Sequence, residues 1–376
     1  MVIKITCDNS LIGYAPGPAH GRAKKEIDGI IRDYLIGKDP RNYKSFNMDL
    51  PHQTAKTYYS VEIALMDLVG KYEECPISEL LGGRCRNEIK LYGSAGMYMS
   101  PHEYAAEAVA IQEMGFPAYK MRPALGPDGD LKTIELMRTA TGHDFGLMID
   151  AHTWWRMGNK NYDPGLVSEL AHSMQNYKPT WLEEPLPPDD HEAYKVLCEQ
   201  GSVPIASGEH EQSFAGFKDL IDKRAVDYVQ ADVCCQCGFE VGAKIFEEVQ
   251  KAQLRFAFHC WGTTLEVMAS AQLGICWPAD VVEWLEYPCY SAADRPGMYP
   301  FELSDRLLKN PLNIDDGHLI VSGDRPGLGV DIDESVFEEY PFIEGPWSFF
   351  HLDDPESVVA VTGDHSIKWI EENPEV

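Results

Sequence analysis

The sequence predicts an α/β protein in which a closed parallel barrel follows an α+β cap. Three observations carry this expectation. From about residue 88 onward, short apolar, β-rich runs alternate with amphipathic helical stretches. Eight such runs fall within about 200 residues. Nearly every one of them ends in an ionisable residue. Eight strands joined by helical crossovers fit a closed barrel better than an open doubly wound sheet, which usually uses fewer strands.

Taken in order, the expected strands are Glu88–Tyr92, Ala118–Arg122, Gly146–Asp150, Thr180–Glu184, Pro204–Glu209, Asp227–Asp232, Arg255–His259 and Val281–Leu285. Helical periodicity lies between them, in Pro101–Met114, Leu131–Thr139, Gly165–Gln175, Phe239–Ala252 and Thr264–Leu273. Residues 1–85 differ. A strand at Val2–Thr6, a turn at Asp8-Asn9-Ser10 and helical patterns at Ile27–Leu35 and Tyr58–Tyr72 make this the cap. The barrel is expected over 86–315. Residues 316–376 return to short strands and Gly/Pro turns against the cap and end in an acidic extension.

A chain of 376 residues with 44% hydrophobic content can bury a large core. No apolar run approaches the roughly 18 residues that cross a bilayer, and Met1-Val2-Ile3-Lys4 lacks the layout of a signal peptide, so the expectation is a soluble, cytoplasmic protein. A formal charge of -28 without a basic cluster argues against nucleic acid as a partner. The ten cysteines follow no framework of spacings and are expected as free thiols. Cys234 and Cys237 have C-x-x-C spacing, but no second pair follows, which favours core thiols over zinc. Neither a G-x-G-x-x-G nor a G-x-x-x-x-G-K-[ST] motif is present.

In a parallel barrel the strand C-terminal ends converge on one mouth, where polar residues are candidates for chemistry. These ends deliver Lys120 and Arg122, Asp150 and His152, Glu183 and Glu184, Glu209, Asp232, His259 and Glu283. Asp150, Glu183 and Glu209 each follow an apolar run and crowd together. Three converging carboxylates repel strongly without a cation. All-oxygen ligation selects a hard ion, Mg²⁺ before Mn²⁺.

The ordered series Lys120-Met121-Arg122, Asp150, Trp181-Leu182-Glu183-Glu184-Pro185, Gly208-Glu209, Asp232, His259 and Glu283-Trp284 resembles the enolase superfamily, within its mandelate racemase-like group. The resemblance implies a modified TIM barrel, (β/α)7β, with an α+β capping domain. It also implies a shared half-reaction: the metal binds a substrate carboxylate, a base removes the α-proton, and an enediolate forms. His259 would be that base or the matching acid, with Asp232 accepting its Nδ1 proton. Glu283 would hydrogen-bond the substrate carboxylate opposite the metal.

The racemase pattern has Lys-x-Lys on the second strand. Here Arg122 replaces the second lysine, and an arginine is a poor base. Arg122 is expected to bind a carboxylate or hydroxyl, and Lys120 to supply positive charge near the enediolate. A one-base site favours loss of a β-hydroxyl, which is acid-sugar dehydration. The Leu182–Asp190 and Gly208–Glu211 stretches are similar to L-rhamnonate dehydratase-like members, and Asp150-Ala151-His152 resembles dehydratases in which that histidine is the general acid. Trp154, Trp155 and Arg156 are candidates to cover the sugar and meet a second carboxylate.

Family members carry a first cap strand and a mobile loop before the strand matching Val2–Thr6, and the sequence as given begins after them. The expected partner is a small acid sugar, aldonate or aldarate, and the expected assembly a homo-oligomer. An epimerase or cycloisomerase using the same enediolate is the alternative. A non-catalytic metal-binding barrel and a pyruvate-type aldolase are further ones.

Overall fold

The computed structural model describes residues 1–17, 23–50, 54–96, 99–123, 125–156, 160–289, 304 and 306–341. The expected acidic extension to Val376 falls outside these residues. Strands β1 (Val2–Thr6) and β2 (Ile12–Pro16) pair antiparallel with Val2 opposite Pro16. The helix Ala55–Tyr72 packs behind them, and it is buried along most of its length because it is covered on one side by β2 and on another by the barrel. Ser60 donates to the carbonyl of Cys234 at 3.1 Å and Glu62 accepts from the amide of Phe239 at 3.0 Å, tying the cap to the barrel.

Eight parallel strands form the barrel: β3 (Glu88–Ser94), β4 (Ala118–Met121), β5 (Gly146–Asp150), β6 (Trp181–Glu183), β7 (Ile205–Ser207), β8 (Tyr228–Ala231), β9 (Arg255–Phe258) and β10 (Val282–Pro288). Each pairs with its neighbour in sequence, and β10 pairs with β3 to close the ring. Seven helical crossovers separate them, including His191–Gln200 and Phe214–Asp222, which were not among the helices read from periodicity. These two are short and carry clear starts: Asp190 accepts from the amide of Ala193, and Ser213 from that of Gly216. The hairpin of β11 (Ile314–Asp315) and β12 (His318–Ile320) joins the sheet antiparallel to the start of β3.

Inside the ring, Tyr92, Ala118, Met148, Trp181, Ala206, Tyr228, Ala257 and Trp284 form one packed layer, one residue from each strand. Large and small side chains share the layer, so aromatic edges fill the axis: the Tyr92 and Trp181 rings meet edge to face with centroids 5.3 Å apart. Side chains along a strand alternate faces. The residue two positions beyond each member of this layer therefore points into the barrel one level nearer the mouth. The ring they form is Ser94, Lys120, Asp150, Glu183, Gly208, Gln230, His259 and Glu286.

Asp67, on the long cap helix, is buried and joins three parts of the chain. Its carboxylate accepts from the amide of Tyr14 on β2 at 2.8 Å and from the amide of Leu328 in the C-terminal segment at 2.8 Å, and Lys71 pairs with it at 2.6 Å. Asp67→Leu is expected to leave two buried amides without acceptors and to lower stability by about 2–4 kcal/mol, measured by urea unfolding. A loss below about 0.5 kcal/mol would show that this junction does not hold the cap.

Candidate active site

The mouth gathers ionisable side chains that are almost entirely buried. Asp150 and Glu183 lie directly opposite each other on β5 and β6. Glu209 follows β7 by way of Gly208, whose φ of +132° and close approach to the Gln230 carbonyl leave no room for a Cβ, which would lie 2.3 Å from that oxygen. Carboxylate oxygens of Asp150, Glu183 and Glu209 come within 4.8 Å of one another.

Lys120, fully buried, reaches Glu183 at 2.8 Å, Glu286 at 3.0 Å and Asp150 at 3.7 Å. Arg122 Nε lies 3.0 Å from Asp150, and the guanidinium stacks over Trp261 at 4.3 Å. On the other flank, His259 Nδ1 meets Asp232 at 2.7 Å and its Nε2 lies 3.0 Å from Glu209. Burial works against an imidazolium here, but Asp232, Glu209 and Glu286 outweigh it and hold His259 well above its ordinary pKa. His152 Nδ1 is 2.6 Å from Asp150.

Glu283 is not in this cluster. It is half-buried at a register shift near the beginning of β10, where Tyr228 Oη and Arg255 donate to it at 3.0 and 2.8 Å, both from the first residues of their strands. The strand expected to end at Leu285 continues to Pro288, so its mouth residue is Glu286. That carboxylate accepts from Tyr92 Oη at 3.2 Å and from the amide of Cys260 at 3.0 Å. Trp284 belongs to the packed interior layer, so Glu286, two residues on, faces the interior at the mouth, which the strand end and register reveal.

Trp154 also departs from expectation. It is completely buried and donates to Asp130 at 3.0 Å, so it packs beneath the loop and does not cover the mouth. Trp155 donates to the carbonyl of Glu184 at 2.9 Å, and Arg156 stacks on Trp155 at 4.5 Å and meets His210. Glu184 and His210 thus enter the site, paired at 2.6 Å. Glu184 has φ +42°, a strained conformation for a residue with a side chain, held by its buried contacts. The cysteines are all free thiols, and among the described residues the groupings able to hold a metal contain no cysteine.

Two family matches span most of the chain: residues 1–82 match the mandelate racemase/muconate lactonizing enzyme N-terminal domain, and residues 103–336 the enolase C-terminal domain-like family. The chain belongs to the enolase superfamily. Similar proteins include the D-galactarolactone cycloisomerase of Agrobacterium fabrum, 28% identical over 90% of this chain and 90% of its own. The D-xylonate dehydratase of Haloferax volcanii is 25% identical over 93% of this chain and 87% of its own. The crystal structure of the 3,6-anhydro-D-galactonate cycloisomerase from Zobellia galactanivorans superposes with a TM-score of 0.78 at 29% identity, covering 90% of this chain and 93% of that one.

Members of this superfamily bind a divalent metal, and the residues of this barrel fit one. Asp150 Oδ2 and Glu209 Oε2 are buried and accept no well-directed hydrogen bond. Burial raises the Glu183 carboxyl, Lys120 opposes this, and the nearby Asp150 and Glu209 add to it, leaving Glu183 at about 8. Asp150 moves the other way, because His152, Arg122 and Lys120 outweigh its burial. Glu183 in the metal-free fold thus retains a proton that an unfolded glutamate with its ordinary value of 4.5 has released. Between these two values the folded state binds more protons, so this group costs stability as pH rises toward about 8. A cation removes that cost. The thermal stabilisation by saturating Mg²⁺ is expected to be larger at pH 8 than at pH 6, with proton release on binding; equal shifts at both pH values would contradict this.

Proposed function

We propose that this protein is a hydro-lyase of acid sugars, an aldonate or aldarate dehydratase that removes the proton α to a carboxylate and expels the β-hydroxyl. The ion we assign is Mg²⁺, with Mn²⁺ as substitute, held by Asp150, Glu183 and Glu209, since the three ligand atoms are all carboxylate oxygens. When bound, it would neutralise these carboxylates and withdraw charge from the substrate carboxylate, making the α-proton acidic.

The observation that carries the reading is the difference between the two flanks of the carboxylates. Just past β9, His259 turns Nε2 toward them while Asp232 takes Nδ1; the carboxylates favour a proton on this ring in the metal-free fold, and with Glu209 neutralised by a metal Nε2 would be free to act as an oriented base. On β4, the other side holds only cations. Burial acts against the Lys120 ammonium, but Glu183, Glu286 and Asp150 together raise it well above its ordinary pKa, and Arg122 does not deprotonate. A site with one base suits elimination. His259 takes the α-proton, the C–H electrons form the C=C bond, and the C–O bond to the β-hydroxyl breaks. His152 supplies the proton with which that oxygen leaves as water. The enol then becomes the 2-keto-3-deoxy acid. Lys120 and Arg122 hold the substrate carboxylate as charge develops on it, and Glu286 keeps both cations in place.

A cycloisomerase is the second reading, favoured by the two relatives of that name. It would use the same proton abstraction, with a ring oxygen as the leaving group. A panel of aldonic and aldaric acids, their lactones and anhydro acids, incubated with Mg²⁺ and scored by semicarbazide, separates the two. Keto product from open-chain acids is expected; product only from cyclic substrates would select cycloisomerisation, and α-deuterium exchange without keto product would sink elimination. His259→Asn is expected to lower kcat by roughly 10²- to 10⁴-fold. Glu286→Gln should lower it by about 10²-fold, whereas Glu283→Gln should stay near the unmodified rate.

A further inference from the structure

Asp232 has two carboxylate oxygens, and only one is accounted for by the base. Oδ2 meets His259 Nδ1 at 2.7 Å. Oδ1 is buried and receives no hydrogen bond from any N–H or hydroxyl donor. A buried carboxylate oxygen left without a partner costs about 1–3 kcal/mol or more, so its surroundings call for an explanation. Beside Asp232 lies another carboxyl, Glu266, from the helix Thr264–Gly274 that follows β9. Glu266 is 3% exposed. Its Oε1 accepts from the Cys234 thiol, and its Oε2 fills the space beside Gly262, where a Cβ would lie only 1.8 Å away.

Two buried carboxyls that meet side by side share a proton, because two like charges out of water repel strongly. Asp232 Oδ2 already accepts from the ring N–H of His259, which leaves Glu266 as the donor of the pair. We propose that Glu266 is a positioning residue that carries this proton and donates it in a hydrogen bond to Asp232 Oδ1, locking the carboxylate that orients His259. Cys234 then donates to Glu266 and Glu266 to Asp232, which accepts from Glu266 on one oxygen and from His259 Nδ1 on the other. The other ionisable groups around Glu266 are Cys235, Cys237, Cys260 and the α-amino group of Met1, which burial pushes toward its neutral form. Burial raises Glu266 far above an ordinary carboxylate, and the charge of Asp232 adds to it.

The assignment of a proton to Glu266 is independent of substrate, while its effect on turnover rests on the reading of His259 as the base. Infrared difference spectra of the full-length protein at neutral pH, unmodified minus Glu266→Gln, are expected to show a carboxylic acid C=O band that shifts in D₂O. Absence of that band would mean that Glu266 is ionised, for instance paired with the Met1 ammonium, and would overturn the proposal whatever the enzyme does. With the acid sugar that the panel above scores as turned over, Glu266→Leu should lower kcat roughly 10-fold or more with little change in KM. Glu266→Gln, whose amide still donates to Asp232 and accepts from Cys234, should recover most of that loss. If Glu266→Leu does not fold, the band and the rate of Glu266→Gln still decide: a present band with Glu266→Gln as impaired as His259→Asn would reject positioning through a donated hydrogen bond. Turnover of Glu266→Leu equal to that of the unmodified enzyme would reject it as well.

Discussion

The repulsion among carboxylates that meet at the barrel mouth is the constraint on which the rest of the site depends. Asp150, Glu183 and Glu209 stand within 4.8 Å of one another, and Glu286 joins them through Lys120. In a medium that burial has made poorly polarisable, such a group is stable only if cations are held nearby in fixed positions. Lys120 and Arg122 provide this on one side and His259 on the other, each held by further contacts that give it a single orientation. A divalent ion completes the balance in this superfamily. In the proposed reaction the same charges would face the developing enediolate, so stability and chemistry would draw on one set of residues.

The second constraint is geometric. Because a strand alternates its side chains, the packed layer of Tyr92, Trp181, Tyr228, Trp284 and their smaller partners decides which residues stand above it. Trp181 illustrates the coupling: its ring fills the barrel axis while its Nε1 donates to Glu183 at 2.8 Å, so an aromatic core residue orients a candidate metal ligand. Tyr92 does the same for Glu286. Supporting contacts of this kind hold the mouth residues in place more firmly than loops alone could.

The outer parts of the site are built differently. Beyond the strand ends, Glu184, His210, Trp155 and Arg156 interlock through backbone strain, an ion pair and stacking. Loops vary in length and path, and here they add a polar layer above the barrel mouth. In the proposed reaction, proton abstraction is assigned to the strand ends below this layer.

The sequence by itself determined the barrel, because eight apolar runs alternating with helical periods admit few other closures. It also brought Asp150, Glu183, Glu209, Lys120, Arg122, Asp232 and His259 to attention, since each ends a run whose direction is fixed by the crossovers. It could not locate Glu286. That depended on where β10 ends and on a register shift at its start, and both are set by pairing with β3 and β9. Trp154 looked like a loop aromatic over the mouth until packing against Asp130 placed it in the core. Glu266 lies on a helix with no motif around it, and only the approach of that helix to Asp232 gives it meaning. Local pattern records which way a side chain points along its own strand or helix. Which side chains meet is decided by register and packing between elements distant in sequence, and tertiary structure alone settles those.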